Sequence, residues 1–240
     1  AVPISGRRTR KSKGVVTAYR FYQMSQLAQS IARLDSPKFS SLLSSADEQG
    51  VLSVLSKPKI SIEDFARLLS PAAGRILESL AQRAHKITRA RFGNAVGLYA
   101  PLYISNKCVG TCPYCGFKKS QKIKRTSLSV EQILEEARAL RQSGILHVLL
   151  VSGDSHSDEA GTLATAVSEL KKLFPSVSVE IPALDTDGYT KLMDSGVDGV
   201  TLYQETYERE TYDTLHADSP KRDYLWRLNA LSRAGEVGMR

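Results

Sequence analysis

Apolar positions follow two different rhythms along this chain. Before Asn94 they recur at helical spacing. Val15–Arg33 reads as weakly helical, and Phe39–Pro58 is rich in Ser with poor periodicity. Ser61 predicts the cap of a short helix carrying Phe65 and Leu68, with Asp64 at its third position. Ser70–Pro71 opens a stronger helix with the stripe Ala73, Leu77, Leu80, Ala84 and Ile87, and Gly93 lies just past its end.

Beyond Asn94 short apolar runs alternate with amphipathic stretches. Val96–Ile104 predicts a strand. A cysteine loop and a basic stretch follow, then a helix started by a capping box, Ser129 with Gln132. Its stripe is Val130, Ile133, Leu134, Ala137 and Leu140, and Gly144 closes it. His147–Val151 is nearly all apolar, as expected of a strand buried on both faces. A helix over Leu163–Phe174, a strand at Val177–Ile181, a short helix at Tyr189–Met193 ended by Gly196, and a strand at Gly199–Tyr203 complete the alternation. A helix over Asp223–Glu236 comes last.

Four strand–helix units in succession predict an α/β fold with a parallel sheet and right-handed crossovers. Both an open doubly wound sheet and a (β/α) barrel satisfy this pattern. The chain stops after a helix, where a fifth strand is due, and a barrel cut there exposes two long apolar edges. The expectation is therefore the first four βα units of a barrel, carried by a fragment of a longer protein. The organisation that follows is a basic segment over 1–34, a helical preamble over 35–94 and a half-barrel over 95–240.

Composition narrows the picture. No run of about 18 apolar residues is present, so no membrane-spanning helix is predicted. The net charge of +8 is concentrated at the start: residues 1–34 hold seven bases and no acid, whereas 35–240 hold 26 bases and 25 acids. A broad phosphate-binding face on the folded body is poorly supported on this count. The basic start reads as a disordered tail, a transit remnant or a nucleic-acid arm.

The three cysteines fall within eight residues, in the sequence Cys108-Val-Gly-Thr-Cys112-Pro-Tyr-Cys115. An odd, clustered set argues for metal or redox chemistry rather than disulfides. The loop follows the first strand, where parallel α/β folds place their sites. Three thiolates at this spacing can hold three irons of a [4Fe–4S] cluster, leaving the fourth iron open to a ligand. Gly110 and Gly116 are expected to let the backbone fold tightly around it. Structural zinc would need a fourth ligand, and His85, His147, His156 and His216 all lack the spacing of a zinc knuckle. A thioredoxin-type CxxC has no use for the third cysteine.

This CxxxCxxC loop, with an aromatic residue before its last cysteine, resembles the radical S-adenosylmethionine (SAM) superfamily. The resemblance implies a [4Fe–4S] cluster on Cys108, Cys112 and Cys115 and SAM on the open iron. The flanks, including Pro101-Leu-Tyr-Ile-Ser-Asn106, Leu149-Leu-Val-Ser-Gly-Asp154, Tyr203-Gln-Glu-Thr-Tyr207 and Trp226-Arg-Leu228, resemble the tyrosine lyases of thiamine biosynthesis, the 2-iminoacetate synthases. That narrower resemblance implies cleavage of L-tyrosine between Cα and Cβ to p-cresol and 2-iminoacetate (dehydroglycine). It also implies a thiazole synthase to receive the imine and a reductant such as flavodoxin or ferredoxin.

By the same resemblance Tyr114 lies against the adenine, and Ser152, Gly153 and Asp154 bind the SAM ammonium, with Asp where the family usually has Glu. Glu205, at the end of the fourth strand, reads as a further SAM contact or as a buried structural glutamate, while Phe117, Tyr203 and Tyr207 read as packing. The arginine that anchors the substrate carboxylate in that family has no counterpart in this chain, and no catalytic residue is assigned. The competing resemblance is to the HydG-type tyrosine lyases of [FeFe]-hydrogenase maturation, towards which Leu215-His216 and Pro220-Lys221 lean. A non-enzymatic metal-binding module with a basic arm is the third reading. A cytoplasmic location is expected, or a plastid or mitochondrion if the basic start is a transit remnant.

Overall fold

The computed structural model describes residues 26–34, 37–155 and 159–240. Residues 15–25 of the weakly helical start lie outside them, as does His156. The described part of the basic segment is helix α1 (Gln26–Leu34), whose Ala28 is buried against Tyr212, Tyr224 and Leu228.

The preamble is more helical than its periodicity predicts. The Ser-rich stretch forms α2 (Pro37–Ser45) and α3 (Glu48–Ser56), the latter started by Asp47, which accepts a hydrogen bond from the Gly50 N–H. Ser61 and Asp64 form a reciprocal capping box at the start of α4 (Ile62–Leu68). Ser70 caps the next helix as predicted, but that helix breaks at Ile76 into α5 (Pro71–Arg75) and α6 (Leu77–Phe92). The break matters for packing. Ala73 of the predicted stripe is buried, whereas Leu77 and Ile87 beyond the break are exposed and α6 buries no residue.

The second part of the chain alternates as expected: β1 (Tyr99–Ser105), α7 (Val130–Gln142), β2 (His147–Ser152), α8 (Glu159–Leu170), β3 (Ser176–Glu180), α9 (Thr186–Ser195) and β4 (Gly199–Val200). The capping box of Ser129 and Gln132 starts α7, and Gly196, in the left-handed region at φ 102°, ends α9. The sheet is wholly parallel in the order β1-β2-β3-β4. A doubly wound sheet reverses its strand order at a switch point. With sequential order every right-handed crossover returns on the same side, which is the arc of a barrel.

Burial follows that geometry. Leu102, Ile104, Val148, Leu150, Val177 and Val179 face Ile133, Ala137, Leu163, Val167, Leu170 and Leu192 in one core between strands and helices. Alternate strand residues such as Tyr103 and Glu180 point to the opposite, concave face, where Tyr103 is exposed.

Several predicted boundaries move, among them the helix expected over Leu163–Phe174, which is α8 and ends at Leu170. β1 begins at Tyr99 rather than Val96, which is left 80% exposed. The fourth strand does not reach Tyr203: its ladder ends soon after Val200, and the buried Arg227 takes the Tyr203 carbonyl through Nε at 2.8 Å. The last helix divides at Asn229 (φ −86°, ψ 0°) into α11 (Tyr224–Leu228) and α12 (Ala230–Glu236), preceded by α10 (Arg209–His216) and a 3-10 turn at Pro220–Arg222. Arg240 then lies beside β4, its N–H donating to Asp198 and its carbonyl accepting from Val200. This is the bonding pattern of a parallel bridge at Gly199.

Asp198 ties α8, β3 and β4 together. Its Oδ2 accepts from the Val177 N–H and from Lys171 Nζ, both at 2.8 Å. Burial alone would raise its pKa, but the Lys171 ammonium and the Val177 N–H outweigh this and hold it below the ordinary 3.8. A depressed carboxylate contributes stability that is present above the unfolded pKa and is lost as pH falls through the folded one. Asp198→Asn is therefore expected to lower stability at pH 7 and to flatten its decline below about pH 4, measured by denaturant titrations across that range. An unchanged acid limb in the variant would show that Asp198 is not part of it.

Candidate functional site

The cysteines lie in a loop of more than 20 residues between β1 and α7, without a helix or strand of its own. Backbone groups hold it at both ends. The Gly153 N–H at the end of β2 donates to the Ser105 carbonyl at 3.1 Å, and the Val109 N–H donates to Asp154 at 2.9 Å. Asn106 closes the far side, exchanging bonds with Lys124 and Thr126. Within this frame a turn places the Cys115 N–H on the Cys112 carbonyl, and Lys119 N–H bonds Gly110 at 2.7 Å.

Cys112 is buried, and Cys108 and Cys115 are half-buried. The Gly110 N–H points at Cys108 Sγ and the Phe117 N–H at Cys115 Sγ, each at 3.4 Å. Ser219 Oγ lies 3.3 Å from Cys112 Sγ. Three sulfurs on one loop, two of them facing backbone N–H donors, suit thiolate ligands of a cluster. A Cβ on Gly110 would press on Ser219 Oγ at 3.1 Å and touch the sulfurs of Cys108 and Cys112 at 3.5 and 3.7 Å. Gly116 has no such constraint: a Cβ there meets nothing within 4 Å, so the tightness expected at that position is absent. Among the described residues no three His, Cys, Asp or Glu side chains converge as ligands of one ion must. A cubane spreads its thiolates over separate irons and needs no such convergence.

The structure brings every residue singled out for the site to one cavity of about 380 Å³: the three cysteines, Tyr114, Ser152, Gly153, Asp154 and Glu205. Ser152–Asp154 stand at the C-terminal end of β2, directly against the cysteine loop. The approach there is extreme, since a Cβ on Gly153 would lie 2.3 Å from the Lys107 carbonyl oxygen. Among the described residues no histidine joins the cysteines as a ligand: His85 is on α6, His147 is at the far end of β2, and His216 bonds a tyrosine.

That tyrosine is Tyr114. Its hydroxyl lies 2.6 Å from His216 Nε2, and His216 Nδ1 lies 2.8 Å from the Tyr212 carbonyl. A carbonyl only accepts, so Nδ1 carries the proton. Burial lowers the His216 pKa and keeps the ring neutral, so Tyr114 donates to Nε2. Burial, then the negative charges of Glu205 and Cys112, push the Tyr114 pKa up. Thr111 Oγ1 adds a third tie, donating to the Asp218 carbonyl at 3.0 Å. Residues 216–219 thus latch onto the cysteine loop at three points.

Glu205 takes a left-handed backbone at φ 72°, the only positive φ outside glycine among the described residues. Lys221 Nζ at 2.9 Å and Arg227 at 3.7 Å hold its carboxylate. Sequence reasoning missed both cations, and it missed Glu180, which lines the same cavity from the end of β3. Burial, then the nearby Glu205 charge, raises the Glu180 pKa. Its position at a strand's C-terminal end was the available signal. Arg227 sits inside the Trp226-Arg-Leu228 segment, where the segment was noticed but the charge was given no partner.

Comparison with known proteins places this geometry. The description of the radical SAM superfamily matches residues 102–240. The 2-iminoacetate synthase of Escherichia coli (strain K12) is 42% identical over 187 residues, which are 77% of this chain and 49% of that protein. The 3-methylornithine synthase of Methanosarcina acetivorans is 30% identical over 75% of this chain and 51% of its own length. Among solved structures, HydG, a maturase of the [FeFe]-hydrogenase, superposes with a TM-score of 0.79 at 27% identity, over 88% of this chain and 48% of that one. The chain spans about half the length of the curated relatives it matches.

The close approach at Gly153 generates a direct test. Gly153→Ala forces the end of β2 from the cysteine loop and is expected to destabilise the fold by about 1–3 kcal/mol, as overpacking does. Gly116→Ala, in the same loop but with open space, is expected to cost little. Chemical denaturation of the two variants checks the contrast, and equal stabilities would contradict it.

Proposed function

The chain belongs to the radical SAM superfamily, and we propose that it carries the cofactor-binding part of a tyrosine lyase of the 2-iminoacetate synthase type. The proposed reaction cleaves L-tyrosine between Cα and Cβ, giving 2-iminoacetate and p-cresol, for the thiazole of thiamine. The observation that carries this reading is the 42% identity over 187 residues to the E. coli 2-iminoacetate synthase, in a chain whose residues 102–240 match the radical SAM superfamily. A [4Fe–4S] cluster and SAM, the cofactors of the superfamily, supply a 5′-deoxyadenosyl radical when bound.

In this reading each residue has a physical task. Cys108, Cys112 and Cys115 hold three irons, and the N–H groups of Gly110 and Phe117 offset thiolate charge. Gly153 lets the end of β2 approach the loop, so that Ser152 and Asp154 meet the SAM ammonium. Asp154 is one methylene shorter than glutamate, and the absence of a Cβ at Gly153 supports its reach by drawing the strand end inward. Tyr114, tethered through its hydroxyl to His216, offers its ring as a fixed wall for the adenine. Glu205, already neutralised by Lys221 and Arg227, serves as a positioned hydrogen-bond acceptor in the SAM pocket.

The same reading names L-tyrosine as substrate, a thiazole synthase as recipient of the imine, and a flavodoxin or ferredoxin as electron donor. Residues 95–240 correspond to the first half of the barrel, behind a basic segment at 1–34 and a helical preamble. No helix among the described residues is long and apolar enough to cross a membrane, and the cytoplasm is the proposed location. A second reading, a HydG-type lyase, draws on the superposition at TM-score 0.79.

The deciding experiment reconstitutes the full-length protein anaerobically with iron and sulfide, then adds reductant, SAM and L-tyrosine. Deoxyadenosine with p-cresol and no carbon monoxide is expected. Carbon monoxide would transfer the assignment to the HydG type, and deoxyadenosine without p-cresol would reject tyrosine. Asp154→Ala is expected to weaken SAM binding roughly ten- to hundredfold, the worth of one lost hydrogen bond to a charged group, while Asp154→Glu retains it.

A further inference from the structure

The near-neutral body conceals a strong segregation of charge. From Ser79 to Val130 there is no acid in 52 residues, and this span holds ten of the 26 bases of residues 35–240. The remainder of the body therefore carries 16 bases against all 25 acids. Six of the ten bases fall between Lys107 and Arg125, around the cysteines.

One of the six turns inward and organises the rest. Arg125 donates to the carbonyls of Asn106, Phe117, Lys118 and Gln121 at 2.7–3.2 Å. Its guanidinium gathers four carbonyls, of which those of Lys118 and Gln121 also accept backbone N–H groups, and so knots the loop into a fixed shape. Lys118 lines the cavity, while Lys107, Lys119, Lys122 and Lys124 are exposed. Among the described residues none of these four forms an ion pair with a carboxylate. Ile123, between two of the lysines, is 41% exposed. An apolar centre ringed by flexible cations is the composition of a protein-docking patch, with a desolvated core and a polar rim. The patch and the cysteines share one backbone framework, since Lys118 N–H bonds the Cys115 carbonyl and Lys119 N–H bonds Gly110.

We propose that this lysine patch is the docking surface for an acidic one-electron carrier protein, which reduces the cluster through the loop that holds it. The inference rests on the cluster reading above and adds where the electron enters. A positive patch on an otherwise acidic body steers an acidic partner to one face, and such steering raises association rates by roughly 10–10³-fold with a steep dependence on ionic strength. Nucleic acid fits the patch less well. Phe117, the one aromatic residue of the 117–126 stretch, is packed edge-on against Tyr103 at 5.8 Å and is not free to stack on a base.

The test compares two reductants on the full-length reconstituted enzyme. Flavodoxin hydroquinone is the acidic protein donor, and photoreduced 5-deazariboflavin is a small uncharged one. The variant is the triple Lys119→Glu, Lys122→Glu, Lys124→Glu, with the corresponding triple Gln variant as an intermediate. At low ionic strength the charge reversal is expected to slow cluster reduction by flavodoxin at least about tenfold, with the Gln variant between. Reduction by deazariboflavin is expected to remain unchanged, and the salt dependence seen with flavodoxin to diminish. Equal rates for wild type and variant with flavodoxin would overturn the docking surface. Slowing with both reductants would overturn it too, because the effect would then lie in the cluster and not in docking. RNA binding lost in the variant, with donor rates unchanged, would assign the patch to nucleic acid instead. Failure of the wild type to form a reducible cluster with either donor would remove the cluster reading itself.

Discussion

At Gly153 the backbone of β2 comes so near Lys107 that a Cβ would stand 2.3 Å from the Lys107 carbonyl oxygen. That approach aligns two hydrogen bonds, Gly153 N–H to Ser105 and Val109 N–H to Asp154, which fasten a long irregular loop to the end of a rigid sheet. A loop of this length is costly to order, and its own residues form no ladder to offset the cost. The cysteine positions, the mouth of the cavity and the placement of Asp154 all follow from this one contact. Its dependence on a missing side chain makes it intolerant of any residue but glycine.

The loop is secured from its other side by residues far along the chain. Tyr114 donates to a neutral His216, Thr111 holds the Asp218 carbonyl, and Ser219 reaches Cys112. The same segment continues to Lys221, which with Arg227 neutralises Glu205. Arg227 also removes the Tyr203 carbonyl from the sheet, which explains why β4 stops early and why Glu205 can adopt a left-handed backbone. The buried Arg227 thus ends a strand, and with the half-buried Lys221 it aims a carboxylate into the cavity. The energetic logic is pairing: an isolated buried guanidinium is expensive, whereas one that meets a carbonyl and a carboxylate is tolerated.

Local signals in the sequence survive in the structure because their physics is local. The capping boxes at Ser61 and Ser129, the left-handed glycine at Gly196 and the alternation of strands and helices depend on neighbours a few residues away. Tertiary contacts decided what was misread. The stripe from Ala73 to Ile87 promised one helix packed along its length, but the break at Ile76 leaves its second part without a buried face. The Asp223–Glu236 helix divides at Asn229, which no propensity marks strongly. Glu180 and Arg227 were invisible as site residues because their partners lie more than 20 residues away. The charge segregation escaped notice because counting the body as a whole cancels a basic span against an acidic remainder.

That segregation gives the cysteine loop two faces with different chemistry. Inward it presents sulfurs and backbone N–H groups to a cavity lined by the carboxylates of Asp154 after β2, Glu180 at the end of β3 and Glu205 after β4. Outward it presents ammonium groups with no carboxylate partner among the described residues. Arg125 separates the two by filling the interior of the loop with its own hydrogen bonds, so that neither face can collapse into the other. A lysine could not replace it, since four carbonyls arranged around a planar fork need directed donors and not a point charge. In the proposed reading one loop receives an acidic protein on its outward face while its inward face holds the cluster.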